Sequence, residues 1–200
     1  MSSPIDKPQP SLRERKKQRT RTTIQAHALR LFRERGYDNT TVEMICEAAE
    51  VGPATFYRHF PSKPDVVLWD EFDPLIVAAF KAQPPELTAL QAFRAATRAV
   101  FAQLTPTQRD DQRQRTALAL SVPELRAVML DQLADALQLL AHAIAERSGQ
   151  PADSLPIRTL AGAIIGAAMA AMLALGDDPD ADIATLFDQA IAQLEAGFSA

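Results

Sequence analysis

Residues 36–63, GYDNTTVEMICEAAEVGPATFYRHFPSK, largely determine the architecture of the chain. Apolar residues recur at helical spacing over positions 42–49, and Thr40 and Thr41 before them are candidate helix N-caps. A shorter helix is predicted over 53–59, because Pro53 suits the first helical position, where no backbone hydrogen bond is lost. Two short helices joined by a tight Val51-Gly52 connection are the plan of a helix-turn-helix unit.

The flanking sequence predicts more helices and no strand. A long helix is expected from a cap at Ser11 to Arg35, and residues 1–10, with three prolines, predict a flexible arm. Further candidate caps downstream are Thr88, Thr105, Ser121 and Ser154. The predicted class is therefore all-α, with a three-helix helix-turn-helix domain over 11–62 and a C-terminal helical bundle over 63–200.

Charge is divided along the chain. The net charge is −4, but residues 1–63 carry 12 Lys and Arg against 7 Asp and Glu, whereas residues 64–200 carry 9 against 18. The N-terminal segment is thus basic and the remainder acidic, which points to an anionic partner for the first segment only. The single cysteine, Cys46, excludes an intramolecular disulfide framework.

The basic excess is concentrated at the start of the first helix, where Glu14 alone opposes it. A run of charges is usually a solvated surface, yet next to a helix-turn-helix plan it favours contact with DNA phosphates. The cations are Arg13, Arg15, Lys16, Lys17, Arg19 and Arg21.

The 53–59 helix has the side chains that base recognition requires. Small residues at its start allow close approach to the floor of a groove, and Thr55 and Tyr57 supply hydroxyl groups. Phe56 and Phe60, four residues apart, are expected to face inward and anchor the helix.

The stretch from Gly36 to Lys63 resembles the DNA-binding domain of TetR-family repressors. The resemblance rests on GYDNTTV, Ile45, the pair Ala48-Ala49, Val51-Gly52, TFYRHF and Ser62-Lys63. It implies an N-terminal DNA-binding domain, a divergent helical ligand-binding domain, and a homodimer that reads a palindromic double-stranded DNA operator. A small effector usually releases such a repressor, although an activator remains an alternative.

The resemblance also implies DNA-contact residues. Glu43 occupies a position where some members place a base-reading cation; here it is either a spectator or an acceptor for cytosine N4. His59 is either a packing residue or a phosphate contact. The predicted DNA-contact set is Arg19, Arg21, Thr41, Gly52, Pro53, Thr55, Tyr57, His59 and Lys63.

The C-terminal part is similar to regulators related to the mycofactocin-system regulator, on the stretches LWDEFDPL (68–75) and ALALSVPEL (117–125). That branch implies a small hydrophobic effector, with a long-chain acyl-CoA as one candidate, and no resident cofactor or metal. Aromatic residues and Met at helical spacing are also typical of plain core. The candidate lining residues are Trp69, Phe72, Phe93, Phe101, Met129 and Leu133.

Dimerisation is expected through the last two long helices, as in the family. Small residues recur every four positions in the first of them and allow another helix to approach closely, although packing within one subunit is an alternative. The predicted interface comprises Gly162, Gly166, Ala170, Leu186, Phe187, Ile191 and Leu194.

Other functional classes fit less well. Residues 159–176 are uncharged but mostly Ala and Gly, which favours a buried helix over a membrane span. Residues 1–19 lack the apolar region of a secretion signal, so a cytoplasmic protein without a membrane partner is expected. The sequence contains no phosphate-binding loop and no metal-ligand cluster of the kind that would indicate an enzyme. A helical acyl or lipid carrier without a DNA role is the alternative function.

Overall fold

The chain is all-helical, as predicted. A computed structural model describes residues 11–69, 72–178 and 181–197, and the arm predicted for residues 1–10 lies outside them. Ten helices run through the described residues, which contain no strand: α1 Leu12–Arg35, α2 Val42–Ala48, α3 Pro53–His59, α4 Lys63–Leu68, α5 Phe72–Lys81, α6 Ala89–Phe101, α7 Pro106–Ser121, α8 Pro123–Ser148, α9 Leu155–Asp177 and α10 Ile183–Ala196.

The chain divides into two compact units, an N-terminal unit ending at Val67 and a C-terminal unit beginning at Leu68. The boundary lies beyond the predicted one at residue 62, because α4 contributes to the first core. Val66 and Val67 are fully buried, and the buried Gln25 side chain on α1 donates from Nε2 to the Val66 carbonyl at 2.9 Å. Helix α4 is therefore the segment that joins the two units along the chain.

The N-terminal unit is built on the predicted apolar spacing. Ile24 of α1, Ile45 of α2 and Phe56 of α3 are all fully buried. The Ser11 side chain accepts from the Glu14 amide, and Glu14 accepts in return from the Ser11 amide, so α1 begins with a capping box. These contacts fix the three helices that carry or flank the predicted DNA-contact residues other than Lys63, which begins α4.

The turn between α2 and α3 departs from the expected glycine connection. Glu50 has a φ of +54°, whereas Gly52 has a φ of −77° and is the N-cap of α3. The position that needs a left-handed backbone is therefore filled by glutamate, at a steric cost that glycine avoids. Gly52 itself has a conformation that any residue can adopt.

Replacing Glu50 by glycine is expected to stabilise the N-terminal unit by roughly 0.5–1 kcal/mol, because it relieves the left-handed backbone. Hydrogen exchange of the α3 amides would measure the change. The matched control is Glu47→Gly, an exposed position within α2, where glycine should cost about 1 kcal/mol. Equal destabilisation by both substitutions would contradict the assigned strain.

The C-terminal unit is a bundle of α5 to α10 around one apolar core. Phe80, Ala161, Ile164 and Ile191 are fully buried in it. By length and a mean hydropathy of 1.9, α9 could also cross a membrane. Six of its residues, from Ile157 to Leu175, are buried, and 28% of its most apolar window is buried in all, so α9 is less buried than the predicted core helix.

An ion-pair network fastens α10 to α6. Arg94 donates to Asp188 from Nε at 2.8 Å and from Nη2 at 3.0 Å, and to Glu195 from Nη1 at 2.7 Å. Arg98 also donates to Asp188. Because the Arg94 and Asp188 side chains are only 24% and 21% exposed, solvent screens their interaction less than it screens a surface pair.

Acidification is expected to weaken the ion pairs between α6 and α10. Hydrogen bonds from Arg94, followed by those from Arg98, hold the pKa of Asp188 well below its ordinary range. A carboxyl with a lowered folded pKa contributes stability above its unfolded pKa, and this contribution is lost as the pH falls below about 4. The Tm of Asp188→Asn should therefore decline less steeply than that of the unsubstituted chain between about pH 5 and pH 2.

The control for this titration is Asp135→Asn, an exposed position on α8. Its Tm should follow the unsubstituted chain through the acid range. Identical acid profiles for Asp188→Asn and the unsubstituted chain would contradict the role of Asp188.

Candidate nucleic-acid interface and effector cavity

The first turns of α1 present cations to solvent. Arg13, Lys17 and Arg19 are exposed, as are the other cations of residues 13–19. The one acid among them, Glu14, is used within the helix cap, where its Oε2 accepts from the Ser11 amide and hydroxyl at 2.7 Å each. The hydrogen bond from the Ser11 hydroxyl, followed by that from its amide, lowers the pKa of Glu14. The start of α1 is therefore a surface with a large positive excess.

Helix α3 is anchored on one side and exposed on the other. Phe56 and Phe60 are buried with their ring centroids 5.9 Å apart, whereas Tyr57 is 52% exposed. Pro53 is exposed and Thr55 is half-buried. Phe56 and Phe60 thus face inward, as predicted, and Tyr57 faces solvent.

Gly52 lies at the exposed start of α3 with open space around it. A Cβ placed on this residue would meet no described atom within 4 Å, and its backbone needs no positive φ. Nothing in the described part of the subunit therefore requires glycine here. Because glycine has no side chain, another molecule can approach the start of α3 closely at this point.

Arg21 and Lys63 make contacts within the N-terminal unit. Arg21 Nη2 donates to the His59 carbonyl at 2.8 Å, which ties the end of α3 to α1. Lys63 Nζ donates to the carbonyls of Tyr37 and Thr40 at 3.1 and 3.3 Å, and lies 4.0 Å from the centroid of the Tyr37 ring. Both cations position helices, and their phosphate contacts stay predictions.

His59 is packed into the N-terminal unit and only 4% exposed. Burial, followed by the charges of Arg58 and Arg21, lowers the pKa of its imidazole, and Nδ1 has no hydrogen-bond partner among the described residues. A buried, neutral ring fits the packing alternative better than the phosphate contact.

At the start of α2, Thr41 is exposed and its hydroxyl accepts from the Met44 amide at 3.3 Å, so of the two candidate caps Thr41 is the N-cap. Glu43 is held by its own amide, followed by the Thr41 hydroxyl, and both interactions lower the pKa of its carboxyl. Glu43 therefore remains charged at neutral pH and helps to cap α2.

The C-terminal unit contains an apolar, partly open cavity of about 190 Å³, to which all six of its helices contribute. Three of the predicted lining residues, Phe72, Phe93 and Phe101, do line it. The remaining lining residues are Ile76, Val77, Gln112, Ala136, Leu139, Leu140, Ile164, Ile165, Ala168, Met172, Ile183 and Phe187.

The other three predicted lining residues are corrected by the structure. Helix α8 faces the cavity with Ala136, Leu139 and Leu140, whereas Met129 and Leu133 do not line it. Trp69, just after α4, is also not part of the lining; its carbonyl accepts from Arg115 Nη1 at 2.6 Å.

Gln112 is a lining residue that the sequence did not indicate. It lies on α7, and its side-chain oxygen accepts from Nη2 of Arg115. The same guanidinium holds the Trp69 carbonyl. A polar lining residue is thus linked through one arginine to the chain immediately after α4.

The predicted dimer residues separate into two groups. Ile191 is fully buried, so it is corrected to a core residue of its own subunit. Phe187 is half-buried, packs on Phe93 and Phe101 and lines the cavity, and its place at the dimer interface stays a prediction. Leu194 is half-buried against the same core.

The exposed side of α9 retains the predicted small residues. Gly166 and Ala170 are exposed, and Leu173, one turn further, is 54% exposed. Gly162 instead lies near α8, since a Cβ there would be 3.8 Å from Leu137 Cδ1. Leu186 of α10 is half-buried.

Two family models match the chain. The model described as bacterial regulatory proteins, tetR family, matches residues 24–68, and the model described as MftR C-terminal domain matches residues 87–199. Together they cover the helix-turn-helix and most of the C-terminal bundle. Within the described residues no group of His, Cys, Asp and Glu is arranged to hold a metal ion.

Curated relatives are transcriptional regulators. The HTH-type regulator TcmR of Streptomyces glaucescens is 47% identical over 94 residues, which span 46% of this chain and 42% of that protein. The putative mycofactocin biosynthesis regulator MftR of Mycobacterium tuberculosis is 26% identical over 160 residues, or 76% of this chain and 80% of that protein.

Solved structures share the fold. A putative TetR-family regulator from Syntrophomonas wolfei has a TM-score of 0.63 and 20% identity, covering 90% of this chain and 97% of that one. SmeT, the repressor of the Stenotrophomonas maltophilia efflux pump SmeDEF, has a TM-score of 0.58 and 21% identity, covering 90% and 91%. SmeT in complex with triclosan has a TM-score of 0.57 and 20% identity, covering 87% and 90%.

Proposed function

Because this chain belongs to the TetR family of DNA-binding transcriptional regulators and carries an MftR-type C-terminal domain, we propose that it is a repressor released by a small hydrophobic effector. It binds a palindromic operator as a homodimer in the cytoplasm. The observation that carries this proposal is α3, whose exposed Gly52 and Tyr57 lie opposite a fully buried Phe56.

The two surfaces of the N-terminal unit have different tasks. The start of α3 enters the major groove, where the Tyr57 hydroxyl reaches base edges or phosphates and Gly52 permits close approach. The exposed cations of residues 13–19 neutralise phosphates and supply affinity without sequence preference. The net negative charge of residues 64–200 favours keeping the C-terminal unit away from the duplex.

Dimerisation supports recognition of a palindrome. Two copies that pair through the exposed stripe of Gly166, Ala170 and Leu173 present two α3 helices related by a two-fold axis. Half-sites then lie one helical turn apart, roughly 34–36 Å, or a multiple of it.

The effector binds in the cavity of the C-terminal unit and favours a state in which the two α3 helices no longer match the operator. It needs only a higher affinity for that state. A long-chain acyl-CoA stays a candidate from the sequence, but the cavity of about 190 Å³ would have to expand, since pockets for drug-sized ligands measure roughly 300–1,000 Å³. SmeT with triclosan supports a small effector on this fold.

The test is operator selection from genomic fragments, followed by gel shifts at two salt concentrations. Affinity should fall steeply with salt, and Lys16→Gln with Lys17→Gln should lower the slope of log affinity against log salt by about 1 for each phosphate that is no longer neutralised. Lys81→Gln, an exposed cation of the C-terminal unit, is the control. Salt-independent binding, or equal affinity for random duplex, would contradict the proposal.

The same experiment distinguishes a repressor from the alternative function, a lipid or acyl carrier. A lipid or acyl carrier retains its ligand but shows no operator preference, whereas a repressor shows both operator binding and release. Transcription from a selected operator in vitro should fall when the protein is added. Increased transcription would assign an activator instead. No enzymatic role is proposed, since the relatives are regulators.

A further inference from the structure

One cation of the N-terminal unit is held by the turn between α1 and α2. Lys63, the first residue of α4, is half-buried, and its Nζ donates to the carbonyls of Tyr37 and Thr40 at 3.1 and 3.3 Å. The same Nζ lies 4.0 Å from the centroid of the Tyr37 ring. An ammonium group has three N–H donors, so two of them are used within the unit, and the charge also lies against an aromatic face.

These contacts distinguish Lys63 from the cations at the start of α1. Lys16 and Lys17 lie on an exposed helix surface, where a phosphate can approach them directly. A phosphate that takes up the Lys63 ammonium competes with its carbonyl and ring contacts, which are stronger in a partly buried place than in water. The surroundings of Lys63 therefore favour a role inside the unit over neutralisation of a phosphate.

The turn that Lys63 contacts determines where α2 begins. Thr40 is 1% exposed, its hydroxyl donates to the Gly36 carbonyl at 2.8 Å, and its amide donates to the Tyr37 carbonyl at 3.2 Å. The next residue, Thr41, is the exposed N-cap of α2 and belongs to the predicted DNA-contact set. Lys63 thus holds the residue directly before the N-cap of α2.

Helix α2 in turn positions α3. Ile45 of α2 and Phe56 of α3 are both fully buried, and the Val51 amide donates to the Cys46 carbonyl at 2.9 Å, which fixes the turn to the end of α2. In helix-turn-helix docking the first helix crosses the DNA backbone while the second lies in the major groove. A shift of α2 therefore moves α3 relative to the base edges, where hydrogen bonds depend strongly on distance and angle.

We infer that Lys63 is a positioning residue for operator recognition: through Tyr37 and Thr40 it sets the start of α2, and thereby the placement of α3 on the base edges. This inference rests on the proposed function in taking operator binding as the activity. Lys63 contributes to the preference for operator over random duplex, whereas the cations of residues 13–19 produce the salt dependence.

Fluorescence anisotropy of the full chain on a selected operator and on a random duplex, at several salt concentrations, tests Lys63→Met. Operator affinity should fall about ten-fold, the effect of losing recognition of roughly one base pair, while affinity for the random duplex should change by less than about two-fold. The slope of log affinity against log salt should not change. Lys63→Arg should restore most of the preference, because a guanidinium can donate to both carbonyls and lie over the ring.

Lys16→Met is the matched contrast, an exposed lysine of the same unit. It should weaken binding to both duplexes and reduce the salt slope by about 1. A similar reduction of the slope in Lys63→Met would make Lys63 a phosphate contact and overturn the inference. Undiminished operator preference in Lys63→Met would overturn it as well.

A general loss of stability is separated from positioning by titrating the binding-competent fraction of each variant. A purely structural role would lower that fraction and leave its operator preference intact, contrary to the inference. Hydrogen exchange without DNA gives a second readout. Exchange of the Met44 and Ile45 amides should be faster in Lys63→Met, with little change at Ile24 in the middle of α1. Unchanged exchange at the start of α2 would contradict the role of Lys63.

The unsubstituted chain on the same two duplexes separates this inference from the proposed function. Equal affinity for operator and random duplex would overturn the proposed function, and hydrogen exchange would still test whether Lys63 holds the start of α2. A clear operator preference in the unsubstituted chain that Lys63→Met retains would overturn the inference alone.

Discussion

Tyr57→Ala is expected to lower operator affinity by about ten-fold or more while leaving the stability of the N-terminal unit nearly unchanged. Removing one good base or phosphate interaction costs about 1–3 kcal/mol of binding free energy. The Tyr57 side chain is 52% exposed, so its removal leaves no cavity in the core. Fluorescence anisotropy on a labelled operator and thermal unfolding would measure the two quantities.

The neighbouring Phe56→Ala is the matched contrast. Phe56 is fully buried, and truncating a buried phenylalanine costs about 3–5 kcal/mol of folding free energy. It should lose operator binding because the N-terminal unit unfolds, whereas Tyr57→Ala should lose it while folded. Unchanged operator affinity in Tyr57→Ala would remove Tyr57 from the interface.

Arg115→Met is expected to abolish release from the operator by effector. Arg115 links Gln112 in the cavity lining to the Trp69 carbonyl, directly after α4, the segment that joins the two units. Couplings between two sites are typically about 1–3 kcal/mol, or 5–150-fold in affinity. In the variant this factor should fall to about 1. Operator anisotropy titrated with a panel of acyl-CoAs and free fatty acids would measure it.

Arg113→Met is the control on the same helix. Arg113 donates to Asp110 at 2.9 Å, within α7, so its replacement removes a cation without breaking the link to Trp69. It should retain the full release. Normal release of Arg115→Met by the compound that releases the unsubstituted chain would contradict the link.

The helix-turn-helix was predictable because local rules determine it. The caps at Ser11, Thr41, Thr88 and Thr105 are confirmed by their hydrogen bonds, and the bounds of α3 agree with the prediction. Ser121 and Ser154 differ from these: the N-cap of α8 is Val122 instead of Ser121, and Ser154 is the N-cap of α9 but makes no side-chain cap bond. The left-handed residue in the turn was missed because glutamate gives no signal for a positive φ.

The cavity was only half predictable. Its helices are apolar on several sides, so spacing does not determine which residues face inward. Phe93 and Phe101 were identified by residue type. Leu133 was assigned to the cavity but does not line it, and Phe187, assigned to the dimer interface, does line it, because the rotation of α8 and α10 in the bundle decides which residues face inward. In the same way, the rotation of α7 decides that Gln112 faces the cavity, which the sequence does not indicate.

Recognition of a palindromic operator by paired α3 helices is best tested by a hydroxyl-radical footprint of the full chain on a selected genomic operator. Two symmetric protected half-sites are expected, centred roughly 34–36 Å apart or a multiple of it. In Tyr57→Ala this protection should disappear at a protein concentration that saturates the unsubstituted complex. Uniform protection without symmetry, or a footprint that Tyr57→Ala leaves intact, would contradict recognition through α3.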